Sequence, residues 1–465
     1  MFEQNSNGTM KNKLEIRLEQ HDAVIGVMGL GYVGLPLATA FAHVGFRVIG
    51  FDVDGKHVNA LQQGICHIGD VDEVRLQHLI ATNQLQVTND FTRLSEVDAV
   101  CICVPTPLQR SRDPDMSYIV HAAEQVARSL HPEMLVVLES TTYPGTTEEL
   151  VLPLLEQSGL QVERDFYLAF SPERIDPGNT HFGLRNTPKV VGGMGELSTS
   201  FATLLYSAIS GGVVQVSSPK TAELVKLLEN TYRAVNIGLA NEFAQIAAVL
   251  QVDIWEVIAA AATKPFGFVP FYPGPGLGGH CIPLDPHYLA WKLRALRYQA
   301  RFIETASEVN DEMPIFVVDL AAQALNEQSK CLNGAHVLIL GVAYKRNISD
   351  ARESPALDII KELQERYAHV AYADAFVPTL HLEHTLLHAT PLTDEALQTA
   401  DCVIIVTDHS DIDYANVVEQ SHLVIDTRNV TRHYAGASNV WRLKRPTAVP
   451  SSFDTPAHTY TGRFS

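Results

Sequence analysis

The sequence predicts an α/β protein with two Rossmann-like domains, each a doubly wound parallel sheet, joined by a helical connector with one long helix. Apolar strand candidates alternate with helical patterns in the first half of the chain and again after residue 336. Between them, residues 220–250 show an apolar pattern of helical period without proline. The predicted segments are an N-terminal arm at 1–20, a first α/β domain at 21–217, the connector at 218–328, a second α/β domain at 329–445 and a disordered tail at 446–465.

Composition excludes several classes of protein. With 465 residues, 46% hydrophobic and 19% charged, the chain can bury sizeable cores and is not globally disordered. The net charge of -19 argues against a nucleic-acid partner or an anionic membrane surface, although a local field can still bind an anionic small molecule. Six cysteines without a CxxC pair predict neither a disulfide framework nor a zinc site. Without a long apolar span or a cleavable signal, we expect a reduced, soluble, cytoplasmic protein with no membrane partner.

The first domain opens with a strand, a glycine-rich turn, a helix and a second strand. Residues 23–29 form the first strand, a helix follows through Ala42, and residues 47–52 form the second strand. The first 20 residues carry no strong pattern and are interpreted as a frayed arm. Further strand candidates in this domain are residues 99–104, 135–139, 166–170, 189–191 and 213–216.

The turn after the first strand carries a dinucleotide fingerprint. Gly29 allows the tight turn, Gly31 admits a pyrophosphate, and Gly34 lets the helix pack closely on the strand. Asp52, at the end of the second strand, would accept hydrogen bonds from ribose hydroxyls and repel a 2′-phosphate, which favours NAD over NADP. The alternative is a glycine-rich turn without a ligand. The cofactor contacts predicted in this unit are Gly29, Gly31, Tyr32, Val33, Gly34 and Asp52.

Polar residues follow three later strands of this domain, where doubly wound sheets place their ligands. Thr106, within Val-Pro-Thr-Pro, is a candidate cofactor contact, and the hydroxyls of residues 139–147, including Thr141, are candidates to reach the nicotinamide or a reacting oxygen. Glu173 is a candidate base and Arg174 a candidate anion contact. The alternatives are ordinary capped turns and, for Glu173 and Arg174, a surface salt bridge.

The connector supplies a lysine and an amide on one helix face. Lys226 and Asn230 are spaced i, i+4 on a helix that would span about 45 Å, and together they could stabilise an oxyanion. The alternative for Lys226, which lies among apolar residues, is that its ammonium group snorkels to water.

Cys281 follows a glycine-rich run at residues 273–279 that would let the backbone approach a ligand closely. Asp285 and Pro286 are predicted to be the N-cap and first-turn residue of the next helix, whose positive end would favour a Cys281 thiolate nucleophile. The alternative is a buried structural thiol.

The second domain begins with a strand at residues 336–341 and continues with strands at 370–374, 403–407 and 423–426. After its first strand, Lys345, Arg346 and Arg352 cluster in an otherwise acidic protein, which predicts a diphosphate site. A solvated charged loop is the alternative.

These motifs, in this order, resemble the UDP-glucose/GDP-mannose dehydrogenase family from about residue 24 to about residue 445. The motifs are GLGYVG, VPTP, ESTTYPGTT, SPER, AELVKLLENTYR, PGPGLGGHCIPLDP and GVAYKRNISDARESPA. Within the family, residues 263–279 look like UDP-N-acetylglucosamine 6-dehydrogenases, so Tyr272 and Gly278 are expected substrate contacts. UDP-glucose dehydrogenases usually carry a second Glu where this chain has Pro177. UDP-N-acetylmannosamine dehydrogenases typically have His-Pro-Arg-Val where this chain has residues 264–266.

The resemblance implies an NAD-dependent four-electron oxidation of a sugar C6 alcohol to a carboxylate. Cys281 would form a thiohemiacetal and then a thioester, and Lys226 and Asn230 would stabilise the developing oxyanions. Glu173, with Thr141 through a water, would move protons, and Asp285 would orient the thiol or the water.

The resemblance also implies where the substrate binds and how the chain assembles. The N-terminal domain would bind NAD and the C-terminal domain the uridine diphosphate, with Lys345 contacting the latter and Arg352 reaching toward the cofactor cleft. Glu173, Arg174, Lys226 and Asn230 would contact the sugar. The long helix would form a homodimer, or part of a larger homo-oligomer.

Three questions remain open from the sequence. UDP-GlcNAc is the first choice of sugar nucleotide, followed by UDP-GalNAc, then UDP-glucose or UDP-ManNAc. A two-electron hydroxyacid-type dehydrogenase is a rival, but it needs neither the Cys281 loop nor a second α/β domain. A non-catalytic nucleotide-sugar binding protein is a rival from another class, and it has no need to retain Cys281, Lys226 and Asp285 together.

Overall fold

The protein is described by a computed structural model. It covers residues 3–4, 10–66, 68, 71–108, 113–175, 179, 181–279, 282–382, 385–434 and 436–444. The chain divides into two compact units, one of residues 1–230 and 284–299, the other of residues 231–283 and 300–465. Residues 218–328, predicted as one connector, are therefore divided between the two units. The predicted tail at 446–465 lies outside the described residues.

The strands follow the predicted apolar runs closely. They are β1 (Glu3–Gln4), β2 (Met10–Lys11), β3 (Val24–Met28), β4 (Arg47–Phe51), β5 (Leu85–Thr88), β6 (Ala99–Ile102), β7 (Leu135–Leu138), β8 (Tyr167–Phe170), β9 (Lys189–Gly193), β10 (Val213–Gln215), β11 (His336–Leu340), β12 (His369–Ala373), β13 (Thr379–Leu382), β14 (Thr385–His388), β15 (Cys402–Ile405), β16 (Val424–Asp426) and β17 (Val440–Trp441).

Helices connect most of these strands. They are α1 (Lys13–Glu19), α2 (Gly34–His43), α3 (Gly55–Gln62), α4 (Glu73–Ala81), α5 (Ser117–Ser129), α6 (Leu152–Leu155), α7 (Glu196–Ser207), α8 (Pro219–Leu250), α9 (Ile254–Ala261), α10 (Asp285–Ala295), α11 (Arg301–Glu327), α12 (Pro355–Glu365), α13 (Asp394–Thr399) and α14 (Tyr414–Gln420). Short 3-10 helices lie at Phe91–Glu96, Glu156–Ser158 and Arg432–Tyr434, and a π-helix at Thr147–Val151. In the described residues, none of these helices has the length and apolar composition that crossing a membrane would take.

The first unit is built on an eight-stranded sheet in the order β10-β9-β8-β7-β6-β3-β4-β5. Its central strands are fully buried, and one apolar core lies on each face of the sheet. The strand order reverses between β3 and β6, and such a switch point is where doubly wound sheets bind ligands. The predicted Rossmann-like architecture is confirmed in this unit.

One pairing in this sheet departs from the predicted parallel arrangement, because β9 runs antiparallel to β8. Parallel neighbours need a crossover connection, usually a helix, that carries the chain back to the starting edge. Among the described residues between β8 and β9 there is no helix, so the chain returns in the opposite direction.

The interpretation of residues 1–20 as an arm without regular structure is wrong for residues 13–19, which form α1. The Asn12 side chain caps this helix by accepting a hydrogen bond from the N–H of Leu14, and Leu14 and Leu18 are both buried. The apolar residues of this seven-residue helix, Leu14, Ile16 and Leu18, alternate with polar ones, so the sequence shows no helical period here.

The second unit is built on a five-stranded parallel sheet in the order β12-β11-β15-β16-β17. Apolar cores lie on both faces, and the strand order again reverses at the first strand, β11. An antiparallel hairpin of β13 and β14 extends from this unit and was not predicted.

The long helix α8 is confirmed, with 32 residues and a length of about 48 Å. Helix α10, however, begins at Asp285, and its N-cap is Leu284, which makes no side-chain cap. The predicted capping role of Asp285 is therefore wrong, because its carboxylate is buried and bonds to a different partner described below.

Candidate active site

The first glycine-rich turn forms a cradle at the end of β3. Gly29 has φ +86°, and a Cβ there would lie 2.6 Å from the Cys103 carbonyl oxygen. A Cβ at Gly34, the first residue of α2, would lie 1.8 Å from the Gly29 carbonyl oxygen. At Gly31 nothing lies within 4 Å of the Cβ position, so the backbone here is open to an approaching group. The cradle thus fits a pyrophosphate at the amino end of a helix.

Asp52 lies directly after β4 and completes this turn. One carboxylate oxygen accepts the N–H of Leu30 at 2.9 Å, and the other accepts the N–H of Asp54 at 3.0 Å. The side chain is only partly buried, which leaves acceptor capacity for ribose hydroxyls. Tyr32 is 38% exposed on the same turn, and Val33 is the N-cap residue of α2. These residues fit NAD, although each contact stays a prediction.

Thr106 is buried after β6, and its carbonyl oxygen accepts a hydrogen bond from the Tyr288 hydroxyl of α10. Trp291 of the same helix packs on Tyr143, with ring centroids 5.1 Å apart. Helix α10 is therefore joined to the strand ends of the first unit by two aromatic side chains that the sequence did not single out.

Most of the hydroxyls predicted after β7 are already used inside the protein. Thr142 and Thr146 hydrogen bond to each other at 2.6 Å, and Thr147 donates to the Glu223 carboxylate of α8 at 2.7 Å. All three are buried, whereas Thr141 is partly exposed. Among the threonines of residues 139–147, Thr141 is therefore the one that remains partly accessible to a reacting group.

Lys226, Asn230 and Asp285 come together in the first unit. The Asn230 amide donates a hydrogen bond to the Asp285 carboxylate, and Lys226 interacts electrostatically with the same group. Lys226 and Asp285 are 8% and 3% exposed, which contradicts a snorkelling lysine. Burial raises the pKa of Asp285 to about 6, while Lys226 and Asn230 oppose this rise. The cluster can present an ammonium group, an amide and a titratable acid.

Glu173 and Arg174 lie in the loop after β8. One Glu173 carboxylate oxygen accepts the N–H groups of Arg174 and Ile175 at 2.7 and 2.6 Å. Arg174 forms an ion pair with Glu229 of α8 at 2.6 Å. Glu229 directly precedes Asn230 in the sequence. This pair fixes the loop against the helix that carries Lys226 and Asn230.

A buried ionic network beneath Glu173 escaped the sequence analysis. The Lys189 ammonium lies 2.6 Å from the Glu139 carboxylate and 3.6 Å from the Glu173 carboxylate, and the Tyr206 hydroxyl donates to Glu139 at 2.5 Å. Lys189 begins a strand that is otherwise apolar, and Glu139 directly follows another. A charge at the end of a buried strand needs a buried partner, and this signal was available in the sequence.

The second glycine-rich loop, residues 273–279, is held within the second unit. Asn241 of α8 accepts the N–H of Gly274 at 2.9 Å and donates to Asn310 at 2.8 Å, and both asparagines are buried. Cβ atoms at Gly278 and Gly279 would each lie 2.8 Å from the Tyr344 side chain. These two glycines therefore leave room for the Tyr344 side chain, and the contact of the Gly278 backbone with a ligand stays a prediction. The predicted nucleophile Cys281, with His280, lies outside the described residues.

Two of the three cations predicted to form a diphosphate site in the second unit pair with acids. Arg346 pairs with Asp408, and Arg352 pairs with Asp350 at 2.7 Å. Lys345 is partly buried in the loop after β11, and Tyr272 is 57% exposed with its ring stacked 6.2 Å from Trp255.

Arg428, which the sequence analysis missed, lies after β16 in the same unit. Its Nε donates to the Val406 carbonyl at 2.8 Å, and a Cβ at Gly274 would lie 2.7 Å from its guanidinium. Burial lowers the pKa of Arg428, while Asp408 and Asp426 oppose this change. A half-buried guanidinium beside the glycine loop is suited to an anion.

The two units differ at the acid that follows the second strand. In the second unit this residue is Asp374, which accepts N–H groups from Val342 and Ala343 and bonds to His409 at 3.1 Å. Burial would raise the pKa of Asp374, but these hydrogen bonds outweigh it and lower the pKa. With its oxygens occupied and only 6% exposed, Asp374 lacks the acceptor capacity that Asp52 retains.

Comparison with known proteins decides the family. The NAD binding, central and UDP binding domains of the UDP-glucose/GDP-mannose dehydrogenase family match residues 23–210, 220–312 and 338–433. The chain is 34% identical over 414 residues to the UDP-N-acetyl-D-mannosamine dehydrogenase of Pyrococcus horikoshii, covering 88% of this chain and 96% of that protein. The chain belongs to the UDP-glucose/GDP-mannose dehydrogenase family. The resemblance seen in the sequence is confirmed.

One further relative and one solved structure bear on activity and fold. The UDP-N-acetyl-D-glucosamine 6-dehydrogenase of Pseudomonas aeruginosa is 36% identical over 394 residues, covering 84% of this chain and 91% of that protein. The solved UDP-D-ManNAc dehydrogenase of Pyrococcus horikoshii aligns with a TM-score of 0.80 and 34% identity, covering 87% of this chain and 95% of that one. This member of the family is an NAD-dependent oxidoreductase that acts on nucleotide sugars.

Proposed function

We propose that this dehydrogenase oxidises the C6 hydroxymethyl group of a UDP-N-acetylhexosamine, with UDP-GlcNAc the favoured substrate, to the uronic acid. The cluster of Lys226, Asn230 and Asp285 carries the proposal. It supplies a buried cation and amide for an oxyanion, and Asp285 follows Cys281 by four residues in the chain.

The proposed reaction removes four electrons in two steps. NAD, when bound, accepts one hydride in each step. The C6 alcohol loses a hydride and a proton to give the aldehyde, and the Cys281 thiolate adds to the carbonyl carbon to form a thiohemiacetal. Loss of the second hydride leaves a thioester, which water hydrolyses to the carboxylate and the free thiol. One alcohol, two NAD and one water thus give one carboxylate, two NADH and the released protons.

Each residue of the cluster has a distinct part in these steps. Lys226 and Asn230 stabilise the oxygen when it carries negative charge. Asp285 holds the Asn230 amide by a hydrogen bond and interacts electrostatically with Lys226. Glu173, with Thr141, accepts the proton of the alcohol and later that of the hydrolytic water. Arg174 holds the Glu173 loop through Glu229.

The second unit would bind the uridine diphosphate. Lys345 lies after β11 and Arg428 after β16, at the carboxyl ends of parallel strands, where α/β sheets bind ligands. Because the family match in this region is the UDP binding domain, we assign these two cations to the diphosphate. Tyr272 and Gly278 would contact the sugar nucleotide, and Arg352, now held by Asp350, would contact the cofactor.

UDP-ManNAc is the main alternative to UDP-GlcNAc as the proposed substrate. Residues 263–279 favour UDP-GlcNAc, and the Pseudomonas relative is named for that activity. The Pyrococcus relative is named for UDP-ManNAc, so this epimer is the second candidate. The product of either reaction would be used in the biosynthesis of a surface polysaccharide. The enzyme would act in the cytoplasm.

A panel of UDP-GlcNAc, UDP-ManNAc, UDP-GalNAc and UDP-glucose tests the proposal by absorbance of NADH. We expect the highest kcat/KM with UDP-GlcNAc and two NADH for each sugar nucleotide consumed. Cys281→Ser should form no uronate while still binding NAD, and mass spectrometry of the slowed wild-type enzyme should find the sugar nucleotide on Cys281. One NADH per sugar, or full activity of Cys281→Ser, would contradict the covalent scheme.

We also propose that α8 pairs with a second copy of the chain. Within the second unit, Leu239, Phe243, Ile246 and Val249 follow one another at intervals of four, three and three residues along this helix. Each is more than 40% exposed, so the helix carries an apolar stripe facing outward from its own unit. A homodimer would bury such a stripe.

A further inference from the structure

We propose that Lys189 is a positioning residue that holds Glu173 as an ionised base, and that buried Glu139 and Tyr206 set how much of the lysine's charge Glu173 receives. This inference rests on the proposed function, because it concerns the base of that reaction.

The geometry places Lys189 between two carboxylates. Its ammonium lies 2.6 Å from a Glu139 oxygen, 3.2 Å from the Pro172 carbonyl and 3.6 Å from a Glu173 oxygen. An ammonium group has three N–H donors, so after Glu139 and Pro172 the third is available to Glu173. Because Pro172 directly precedes Glu173, Lys189 holds both the backbone and the side chain of this short segment.

The second oxygen of Glu173 is held as well. It accepts the N–H groups of Arg174 and Ile175, while the first oxygen faces the Lys189 ammonium at 3.6 Å. A carboxylate that accepts backbone N–H groups beside an ammonium is favoured in its charged form. This is the form that a general base needs when the alcohol proton departs.

Glu139 competes with Glu173 for the same cation. The Glu139 side chain is fully buried, and its other oxygen accepts the Tyr206 hydroxyl at 2.5 Å. Burial would lower the pKa of Lys189, but the two carboxylates outweigh this and raise the pKa, which keeps the lysine charged. The Lys189 ammonium also lies 4.9 Å from the centre of the Tyr206 ring.

Other charged and titratable groups around Glu173 belong to several elements. They are Lys189 on β9, Glu139 after β7, Cys103 after β6, Tyr206 on α7, and the ion pair of Arg174 with Glu229 on α8. Burial raises the pKa of Cys103 far above its ordinary value, so this thiol is neutral. The charge of Arg174 is balanced by Glu229. Lys189 is therefore the cation whose electrostatic effect on Glu173 depends on Glu139.

Two variants should shift the midpoint of the acidic limb in the pH profile of kcat/KM, and the two shifts should be in opposite directions. Glu139→Gln removes the competing carboxylate, so Glu173 should ionise at lower pH. The midpoint of the acidic limb should therefore move to lower pH. Lys189→Gln combined with Glu139→Gln removes the cation without leaving a buried charge alone, and the limb should rise by about one pH unit. Lys189→Arg keeps the charge and should leave the limb close to that of the wild type.

Folding is checked by melting temperature and by NAD affinity, which the variants should retain. If the double variant does not fold, Tyr206→Phe replaces it. Without the tyrosine hydroxyl as a donor, Glu139 interacts more strongly with Lys189. The midpoint of the limb should therefore move to higher pH, by less than in the double variant. As a matched control, Arg17→Gln with Asp98→Asn neutralises another ion pair of the first unit and should not move the limb.

The outcomes separate this inference from the proposed function. Opposite shifts in Glu139→Gln and the double variant support it, since neither change alters Asp285, whose pKa burial raises to about 6. An unmoved limb in both folded variants, shifts of the same sign, or a limb that persists in Glu173→Gln would overturn it. In each of these cases two NADH per sugar would still establish the reaction, and one NADH per sugar would reject the reaction on its own.

Discussion

Buried charged side chains of the first unit depend on partners from elsewhere in the chain. Lys189 depends on Glu139, Lys226 on Asp285, and Asp285 on Asn230. An uncompensated charge in a protein interior is costly, so such groups persist where they pair or where function requires them. Asp285 is incompletely compensated, because burial raises its pKa to about 6 although a cation is close.

Asp285→Asn should therefore stabilise the protein at neutral pH. The raised pKa means that folding favours the protonated acid, and this contribution is complete below pH 4 and lost as the pH rises through about 6. The asparagine stays neutral, so the variant should gain on the order of 2 kcal/mol over wild type at pH 7.5 and little at pH 4.5. Melting temperatures at several pH values measure this.

The activity of the same variant should fall, because the acid that orients Asn230 is lost. A difference in melting temperature that stays constant from pH 4.5 to 7.5 would show that the Asp285 carboxyl is not destabilised by ionisation. Lys226→Met, which removes the nearby cation, should raise the pKa of Asp285 further and lower the melting temperature above pH 6.

At the scale of the structural element, the two glycine-rich loops use glycine for different reasons. In the first loop, Gly31 faces open space, which fits a cofactor that approaches from outside. In the second loop, Gly278 and Gly279 are filled by Tyr344 of the same unit. Open space in front of the backbone thus accounts for glycine at position 31, and close packing on Tyr344 accounts for glycine at positions 278 and 279.

Gly31→Ala should weaken NAD binding without affecting folding. The added Cβ meets no protein atom within 4 Å, so the melting temperature should match that of the wild type. The methyl group would instead occupy space that the pyrophosphate needs, and we expect at least a tenfold loss of affinity by calorimetry. Gly183→Ala is the matched control, since a Cβ there also meets open space. Unchanged affinity in Gly31→Ala would refute the assignment of the cradle.

At the scale of the whole molecule, the apolar stripe of α8 bears on assembly. Phe243 is 48% exposed and Leu239 is 51% exposed on a helix that its own unit does not cover on this side. Soluble monomers rarely expose several large apolar side chains in one row.

Leu239→Glu with Phe243→Glu should convert the proposed dimer into a monomer, because two charges would be buried at the centre of the pairing surface. Light scattering after size-exclusion chromatography gives the mass of each species. Leu386→Glu alters a similarly exposed residue, 47% exposed on β14, and should leave the mass unchanged. A wild-type mass of one chain would contradict the proposed pairing.

The sequence by itself determined the two Rossmann-like sheets, the long helix and the family. These depend on local features: the period of apolar residues, the three glycines beside Asp52, and short motifs around residues 139–147 and 273–286. Period and spacing report on neighbours within a strand or a helix turn, and such neighbours are close in the chain.

The tertiary structure alone decided which charged groups meet. Lys189 and Glu139 are 50 residues apart, Asn230 and Asp285 are 55 apart, and Tyr288 bonds to a carbonyl 182 residues away. It also decided that Asp285 does not cap α10 and that β9 runs antiparallel to β8. Contacts between distant segments follow from how whole elements pack, and no periodicity within either segment records them.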